Sequence, residues 1–127
     1  MIYSDYMADY DGEDTSWTDA TNGKDYSPLF NGRLIQLRLY WAQTTAASVV
    51  TGLSAKVEGS TFGGRPAIVS LAGQGLMTAP AFPPPVGIFN CDLPVSTSNK
   101  LTVTFRHHAG AITPVTSLAY LIGVFEG

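Results

Sequence analysis

The strongest candidates for chemistry in this sequence are the acidic residues of one short segment. Residues 7–19 read MADYDGEDTSWTD and hold five of the chain's ten acids: Asp9, Asp11, Glu13, Asp14 and Asp19. Closely spaced carboxylates are the ligands that Ca²⁺ prefers, but an EF-hand loop needs glycine at its sixth position and glutamate at its twelfth. Counted from Asp9, those positions hold Asp14 and Ala20. The spacing excludes an EF-hand. It leaves open a calcium site completed across a subunit contact, or an acidic segment that is solvated or docked.

No other residue pattern predicts catalysis. His107 and His108 are adjacent on a predicted strand, so they point to opposite faces and cannot bind one metal as a pair. Cys91 is the only cysteine and lies on the predicted buried face of its strand, which indicates an inert, packed thiol. The sequence has no G-x-S-x-G nucleophile motif. We therefore expect no catalytic residue, no metal ligand and no cofactor, and the protein is not expected to be an enzyme.

Possible binding partners are also limited by the sequence. No basic cluster suits a phosphate backbone, so nucleic-acid binding is not expected. The longest nearly apolar stretch, residues 115–125, is too short to span a bilayer, so no membrane is expected either. The segment APAFPPPV at residues 79–86 is either a stiff loop or a proline-rich ligand for an aromatic groove. Exposed aromatic side chains such as Tyr40 or Trp17 could stack on sugar rings, which keeps a glycan among the possible ligands.

The charge divides the chain into two parts. Residues 1–26 hold seven acids and one base, whereas residues 27–127 hold six bases and three acids. The first part also has scattered aromatic residues and no apolar period. Disorder would explain the charge, but so many aromatic residues favour an arm that docks onto a surface. We predict an irregular, acidic N-terminal arm at 1–26 and a folded domain at 27–127.

Alternating apolar residues predict an all-β fold for the second part. Ile35, Leu37, Leu39 and Trp41 recur with period two, which is typical of a strand with one buried face. Similar patterns occur over residues 49–58, 67–71, 86–93, 101–107 and 117–125. Two short strands at 27–30 and 76–79 would bring the number to eight. The spacing predicts an antiparallel β-sandwich, an eight-stranded jelly roll.

The surface of this domain is unusually poor in charge. Charged residues make up 13% of the chain, about half of the roughly 25% usual in soluble domains. Either the surface is an ordinary one rich in serine and threonine, or much of it is buried against other subunits. The last strand is apolar on both faces, which favours a covering partner. The predicted subunit-contact residues are Tyr6, Tyr10, Asp11, Asp14, Trp17, Tyr40, Leu121 and Phe125.

The whole pattern resembles the small single-jelly-roll or β-sandwich subunits of viral capsids and capsid-decoration proteins. The resemblance is carried by the polar, aromatic first 26 residues and by the strands RLIQLRLYW, SVVTGLSAKVE, KLTVTFRHH and SLAYLIGVF. It implies a structural subunit of a virion that binds copies of itself, and possibly other particle proteins, through its arm. Arms that face a packaged genome are usually basic, and this one is acidic, so the resemblance implies contacts with neighbouring subunits. The alternative function is a carbohydrate-binding or host-attachment module.

Overall fold

The computed structural model describes residues 1–11, 14, 16–17, 23–45, 52–72, 86–108 and 116–127. Within them lie eight strands and one turn of 3₁₀ helix. The strands are β1 (Ile2–Tyr10), β2 (Lys24–Tyr26), β3 (Gly32–Thr45), β4 (Gly52–Glu58), β5 (Ala67–Ala72), β6 (Val86–Val95), β7 (Leu101–His107) and β8 (Thr116–Glu126), and the 3₁₀ turn is Ser60–Phe62. Among these elements, no helix has the length and apolar character that crossing a bilayer requires.

The strands form two antiparallel four-stranded sheets. One sheet, which we call sheet A, has the strand order β1-β8-β3-β6, and the other, sheet B, has the order β2-β7-β4-β5. In this order the first and last strands are neighbours in sheet A, and the second and seventh are neighbours in sheet B. Two Greek keys wound in this way make a jelly roll. The predicted all-β, eight-stranded jelly roll is confirmed.

The core lies between the sheets and is built by the alternation of each strand. Leu53, Ala55 and Val57 of β4 are fully buried, as are Leu101, Val103 and Phe105 of β7. In β3 the inward residues are Leu37, Leu39 and Trp41, as predicted, but the next one towards the start of the strand is Leu34 and not Ile35. A register shift between Leu34 and Gln36 explains this difference, because a bulge adds one residue and reverses the side on which the preceding residues point.

The first 26 residues differ from the irregular arm that the sequence predicted. β1 pairs with β8 along nine residues and forms the edge of sheet A, while β2 pairs with β7 at the edge of sheet B. The alternation of β1 is hidden in the sequence because a register shift between Tyr6 and Ala8 places Met7 and Ala8 both in the core. The exposed residues of this strand include the apolar Ile2 and the aromatic Tyr6, so apolar residues occur on both faces and the segment has no clear apolar period. Whether residues 1–26 form a separable unit stays a prediction.

Of the two short strands predicted in addition, one is wrong and one is not tested. Residues 27–30 are not in a strand, and residues 76–79 lie outside the described residues. The described part of the chain reaches eight strands through β1 and β2, which the sequence did not predict.

Candidate interaction surface on sheet A

The outer face of sheet A exposes several large hydrophobic residues beside polar ones such as Gln36, Arg38 and Asn90. Tyr40 and Arg38 of β3 point away from the core, on the side opposite to the buried Leu37 and Leu39. The register places Tyr40 beside Tyr120 of β8, and it places Arg38 between Ile122 of β8 and Ile88 of β6. Large exposed hydrophobic residues on this face occur on three of its four strands: Ile2 and Tyr6 on β1, Leu118 on β8, Val86 and Ile88 on β6. We call this surface the A face. Exposed hydrophobic residues gathered on one face mark an interaction site where they form a patch of more than a few hundred Å².

The outer face of sheet B has a different composition. The described side chains that point outwards from sheet B are mainly polar: Ser54, Lys56, Ser70, Thr102, Thr104 and Arg106, of which Ser54 and Thr104 are buried. Ile68 is the one large hydrophobic residue that is exposed there among the described residues. The two outer faces of the sandwich are therefore chemically distinct, and the asymmetry is a property of this chain and not of the fold.

Three tyrosine side chains form a row across the A face. The rings of Tyr40 and Tyr120 are 4.9 Å apart between centroids and nearly parallel, and those of Tyr120 and Tyr6 are 6.0 Å apart. Tyr120 thus lies between its two neighbours. Because the rings cover one another, only the outer ring faces of Tyr6 and Tyr40 remain for a ligand. The row presents mainly ring edges and hydroxyl groups, which suits the mixed apolar and hydrogen-bonding contacts that tyrosine makes at protein interfaces.

A pocket of about 450 Å³ opens at the β1 side of the A face. It is lined by Tyr6, Asp9, Tyr10, Asp11, Lys24, Leu118, Ala119 and Tyr120. This volume lies within the roughly 300–1,000 Å³ of small-ligand sites. The lining combines apolar and aromatic walls with two carboxylates and one ammonium group. We call it the tyrosine pocket.

The charges in the tyrosine pocket are only partly compensated. Lys24 Nζ lies 2.7 Å from Asp9 Oδ1 and donates a second hydrogen bond to the Asp9 carbonyl oxygen at 2.5 Å. The hydrogen bond from Lys24 lowers the pKa of the Asp9 carboxyl, and one from Tyr6 lowers it further. Burial, followed by the hydrogen bond to Asp9, raises the pKa of Tyr6. Asp11 lines the same pocket and forms no hydrogen bond or ion pair with another described residue, so the pocket keeps one uncompensated negative charge.

The predicted contact residues divide into two groups. Tyr6, Asp11 and Tyr40 lie on the A face or in its pocket. Leu121 and Phe125 have no exposed area and Tyr10 has 6%, since all three point into the core of their own chain. They stabilise the fold of their own chain and offer almost no exposed side-chain area to a neighbouring subunit. The reason is the orientation of the side chains of β8, which is apolar on both faces. Leu121 and Phe125 face sheet B, whereas Leu118, Tyr120 and Ile122 face outwards.

Asp14 and Trp17 lie on their own molecule. The Tyr10 hydroxyl donates to Asp14 Oδ2 at 2.8 Å, and the backbone N–H of His107 donates to the Asp14 carbonyl oxygen at 2.8 Å. The Trp17 ring contacts two cations of sheet B, Lys56 Nζ and Arg106 Cζ, each 4.9 Å from its centroid. These contacts attach the described part of the acidic segment to sheet B of the same chain.

The remaining titratable groups favour structural roles. His108 Nε2 lies 2.5 Å from Ser54 Oγ, which is 2.8 Å from Ser70 Oγ, and burial lowers the pKa of His108. The Cys91 thiol donates to the Leu34 carbonyl oxygen at 3.4 Å, and burial raises its pKa to about 11, which suppresses the reactive thiolate at neutral pH. In the described ranges, no three histidine, cysteine or acidic side chains are grouped as metal ligands.

Sequence reasoning did not identify Tyr120, Ile88, Asp9 or Lys24 as surface partners. Tyr120 was assigned to one apolar face of the last strand, and that two-faced pattern was the available signal. Ile88 and the Asp9–Lys24 pair depend on which strands are neighbours, and no local pattern contains that information.

No protein-family model matches the sequence, and comparison with curated proteins gave no match. Among solved structures, the chain is similar to Eiger TNF from S. frugiperda at 9% identity and a TM-score of 0.47, over 99% of this chain and 89% of that one. It is similar to the CBM36-1 domain of a multidomain xylanase from the hindgut metagenome of Trinervitermes trinervoides at 11% identity and a TM-score of 0.43, over 97% and 96%. It is also similar to a chain of the infectious bursal disease virus Gt strain at 18% identity and a TM-score of 0.40, over 98% of this chain and 32% of that one. The chain therefore spans about a third of the viral protein that it matches.

Proposed function

We propose that the protein is a self-associating structural subunit of a virus particle and that copies contact one another through the A face. The observation that carries the proposal is the difference between the two outer faces of the sandwich. The A face exposes five large hydrophobic residues, and the outer face of sheet B exposes Ile68 alone among its described residues. Exposed apolar area is costly in water, and covering it stabilises an assembly by about 25 cal/mol per Å² before the costs of association.

The A face has the size that a stable contact needs. Four strands about 4.8 Å apart and about 30 Å long present roughly 600 Å² of flat area. Side-chain relief increases this value towards the roughly 800 Å² per partner of a standard protein–protein interface. Tyrosine and arginine are enriched in such interfaces, and the A face offers the tyrosine row with Arg38 beside it.

The assignment to a virus particle rests on the fold and on composition. Eight-stranded jelly rolls occur in viral capsid proteins and in lectins, so the topology supports a particle subunit by analogy of fold. A chain with 13% charged residues and a net charge of −3 has little self-repulsion and no basic surface for nucleic acid. The proposed partners are copies of itself and other particle proteins, the proposed location is the virion, and no enzymatic activity is assigned.

The proposal is tested by placing a charge on each outer face. Ile88→Lys and Leu118→Lys put lysine at positions of the A face that are 56% and 48% exposed, and Ile68→Lys is the matched control on sheet B at 39%. We expect the wild-type protein to assemble, the two A-face variants to shift towards monomers, and Ile68→Lys to assemble as the wild type does. Light scattering and negative-stain microscopy give the assembly state, and thermal unfolding verifies that all three variants fold. A wild-type protein that stays monomeric at high concentration would contradict the proposal.

The alternative function is a carbohydrate-binding or host-attachment module. The observation that favours it is the row of three stacked tyrosine rings on the A face, at one end of which Tyr6 is 50% exposed. A glycan array read with the monomeric Ile88→Lys variant separates the two functions. Binding that Tyr6→Ala and Tyr40→Ala each abolish would support the carbohydrate module, and an array without signal would leave the structural subunit.

A further inference from the structure

The tyrosine pocket lacks a positive partner for one of its two acids. Lys24 neutralises Asp9, while Asp11 is exposed and has no hydrogen bond or ion pair with a described residue. The nearby walls are Tyr6, Tyr120 and Leu118. A guanidinium group fits such a site well, because its planar fork binds a carboxylate through two hydrogen bonds and its face stacks on an aromatic ring.

The chain has seven lysine and arginine residues whose cations could pair with Asp11. Five of the seven have partners: Lys24, Arg33 and Lys56 form ion pairs, Arg38 donates to Gln36, and Arg106 lies over Trp17. The other two, Arg65 and Lys100, have no side-chain hydrogen bond or ion pair with a described residue. Of these two, only Arg65 carries the planar fork that suits a carboxylate beside an aromatic wall.

The turn that carries Arg65 is held in a fixed shape. Phe62 is buried and anchors the turn to the core, and its carbonyl oxygen accepts a hydrogen bond from the Arg65 backbone N–H. Gly63 and Gly64 follow with φ of +68° and +82°, a left-handed conformation that glycine adopts readily. Pro66 then limits the backbone after Arg65. The exposed Arg65 is thus presented on a pre-organised turn, which lowers the entropy lost on binding.

Arg65 and Asp11 of one chain lie at opposite ends of the sandwich. The segment that follows β1 lies at the end of sheet B where β4 begins and β7 ends. The His107 N–H donates to the Asp14 carbonyl oxygen, and the His108 N–H donates to the Gly52 carbonyl oxygen. Arg65 follows the other end of β4, where Val57 pairs with Ala67. Seven residues of strand separate the two ends, which is about 20 Å. Arg65 is therefore too far away to enter the tyrosine pocket of its own chain.

We infer that the tyrosine pocket binds the turn at residues 62–66 of a second copy, with Arg65 paired to Asp11 and stacked against Tyr6. This inference rests on the proposed self-association and names the segment that docks at one edge of the A face. The contact joins two different surfaces, so it is heterologous, and a pair of copies joined by one contact keeps one free pocket and one free turn. A heterologous contact continues into rings, filaments or shells and does not stop at a dimer.

Charge reversal tests the pairing. Asp11→Arg and Arg65→Asp each place like charges at every contact, and we expect either variant to raise the concentration needed for half-assembly at least about tenfold. An equimolar mixture of the two variants restores an opposite-charge pair at every contact, so we expect assembly to return. Asp25→Arg and Lys100→Asp are the matched controls, because they make the same charge changes at exposed positions outside the pocket. Sedimentation velocity measures assembly, and circular dichroism verifies folding.

Each result decides a different statement. A wild-type protein that never assembles would contradict the proposed function. A wild-type protein that assembles, with both reversal variants assembling equally well, would overturn only the pairing of Arg65 with Asp11. Failure of the mixture to restore assembly would also overturn the pairing, and a mixture that stops at a discrete heterodimer would overturn the head-to-tail arrangement. Assemblies larger than dimers in the mixture, together with unaffected controls, would support the inference.

Discussion

At the scale of single residues, the acidic segment 7–19 has several separate roles. Tyr10 packs in the core on Phe105, with ring centroids 5.0 Å apart, and Asp14 accepts a hydrogen bond from the Tyr10 hydroxyl. The Trp17 ring contacts two cations of sheet B, Lys56 and Arg106. Of the described acids in this segment, Asp9 and Asp11 line the tyrosine pocket. Most of the described segment therefore stabilises its own chain, and its aromatic residues explain why so acidic a stretch is held in place.

Trp17→Ala is expected to lower the free energy of unfolding by about 2 kcal/mol. The substitution removes the ring that Lys56 and Arg106 contact, and a cation–π contact stabilises by about 0.5–2 kcal/mol, depending on its desolvation. It also leaves those two cations without the aromatic ring that both contact. Urea unfolding measures the change, and Trp17→Phe, which keeps an aromatic face, is expected to lose less. Equal stability of Trp17→Ala and the wild type would show that the ring does not anchor the segment.

At the scale of strands, the sequence predicted β4 and β7 well, whereas bulges hid β1 and placed Leu34 of β3 in the core instead of the predicted Ile35. β4 and β7 have inward residues at every second position, so their buried faces were predicted correctly. β1 has a register shift that places Met7 and Ala8 both inwards, and a period of two does not survive it. The tyrosine row spans β1, β8 and β3, so it depends on strand order, which no single strand encodes. Tyr6 and Tyr40 were proposed from their residue type, but their common neighbour Tyr120 was not.

Because β1 is part of sheet A, removing it is expected to unfold the domain. The sequence alone predicts that a chain without residues 1–26 still folds, whereas deletion of residues 1–10 takes Met7, Ala8 and Tyr10 from the core and uncovers the edge of β8. Full burial of a large apolar side chain stabilises by about 1.5–3 kcal/mol, so the total loss approaches the roughly 5–15 kcal/mol of a typical domain. We expect no cooperative unfolding transition in circular dichroism.

The control for this deletion is Ile2→Ser, a substitution at an exposed position of the same strand. Surface substitutions of this kind usually change stability by less than about 0.5 kcal/mol. A truncated chain that unfolds cooperatively, at nearly the midpoint of the full-length protein, would support a separable N-terminal arm instead.

At the scale of the whole molecule, the protein combines one apolar outer face, one polar outer face and a small net charge. The two outer faces of the sandwich therefore differ from each other. Its two ends differ as well, because Asp11 lies at one end of the strands and Arg65 at the other. A subunit with both differences can form contacts of two kinds, one apolar and one ionic. The apolar contact does not depend on ion pairs. It is opposed by the electrostatic repulsion between copies, because every copy carries the same negative net charge.

Assembly is therefore expected to strengthen as the pH falls from 8 towards the isoelectric point of about 5.1. The net charge of −3 at neutral pH decreases in magnitude over this range, and the repulsion between copies decreases with it. Light scattering at low ionic strength should show a lower concentration for half-assembly at pH 5 than at pH 8. At about 1 M salt the Debye length is only ~3 Å, so the dependence on pH should flatten. Identical assembly at both pH values in low salt would show that net charge does not oppose it, and the low charge of the surface would then need another explanation.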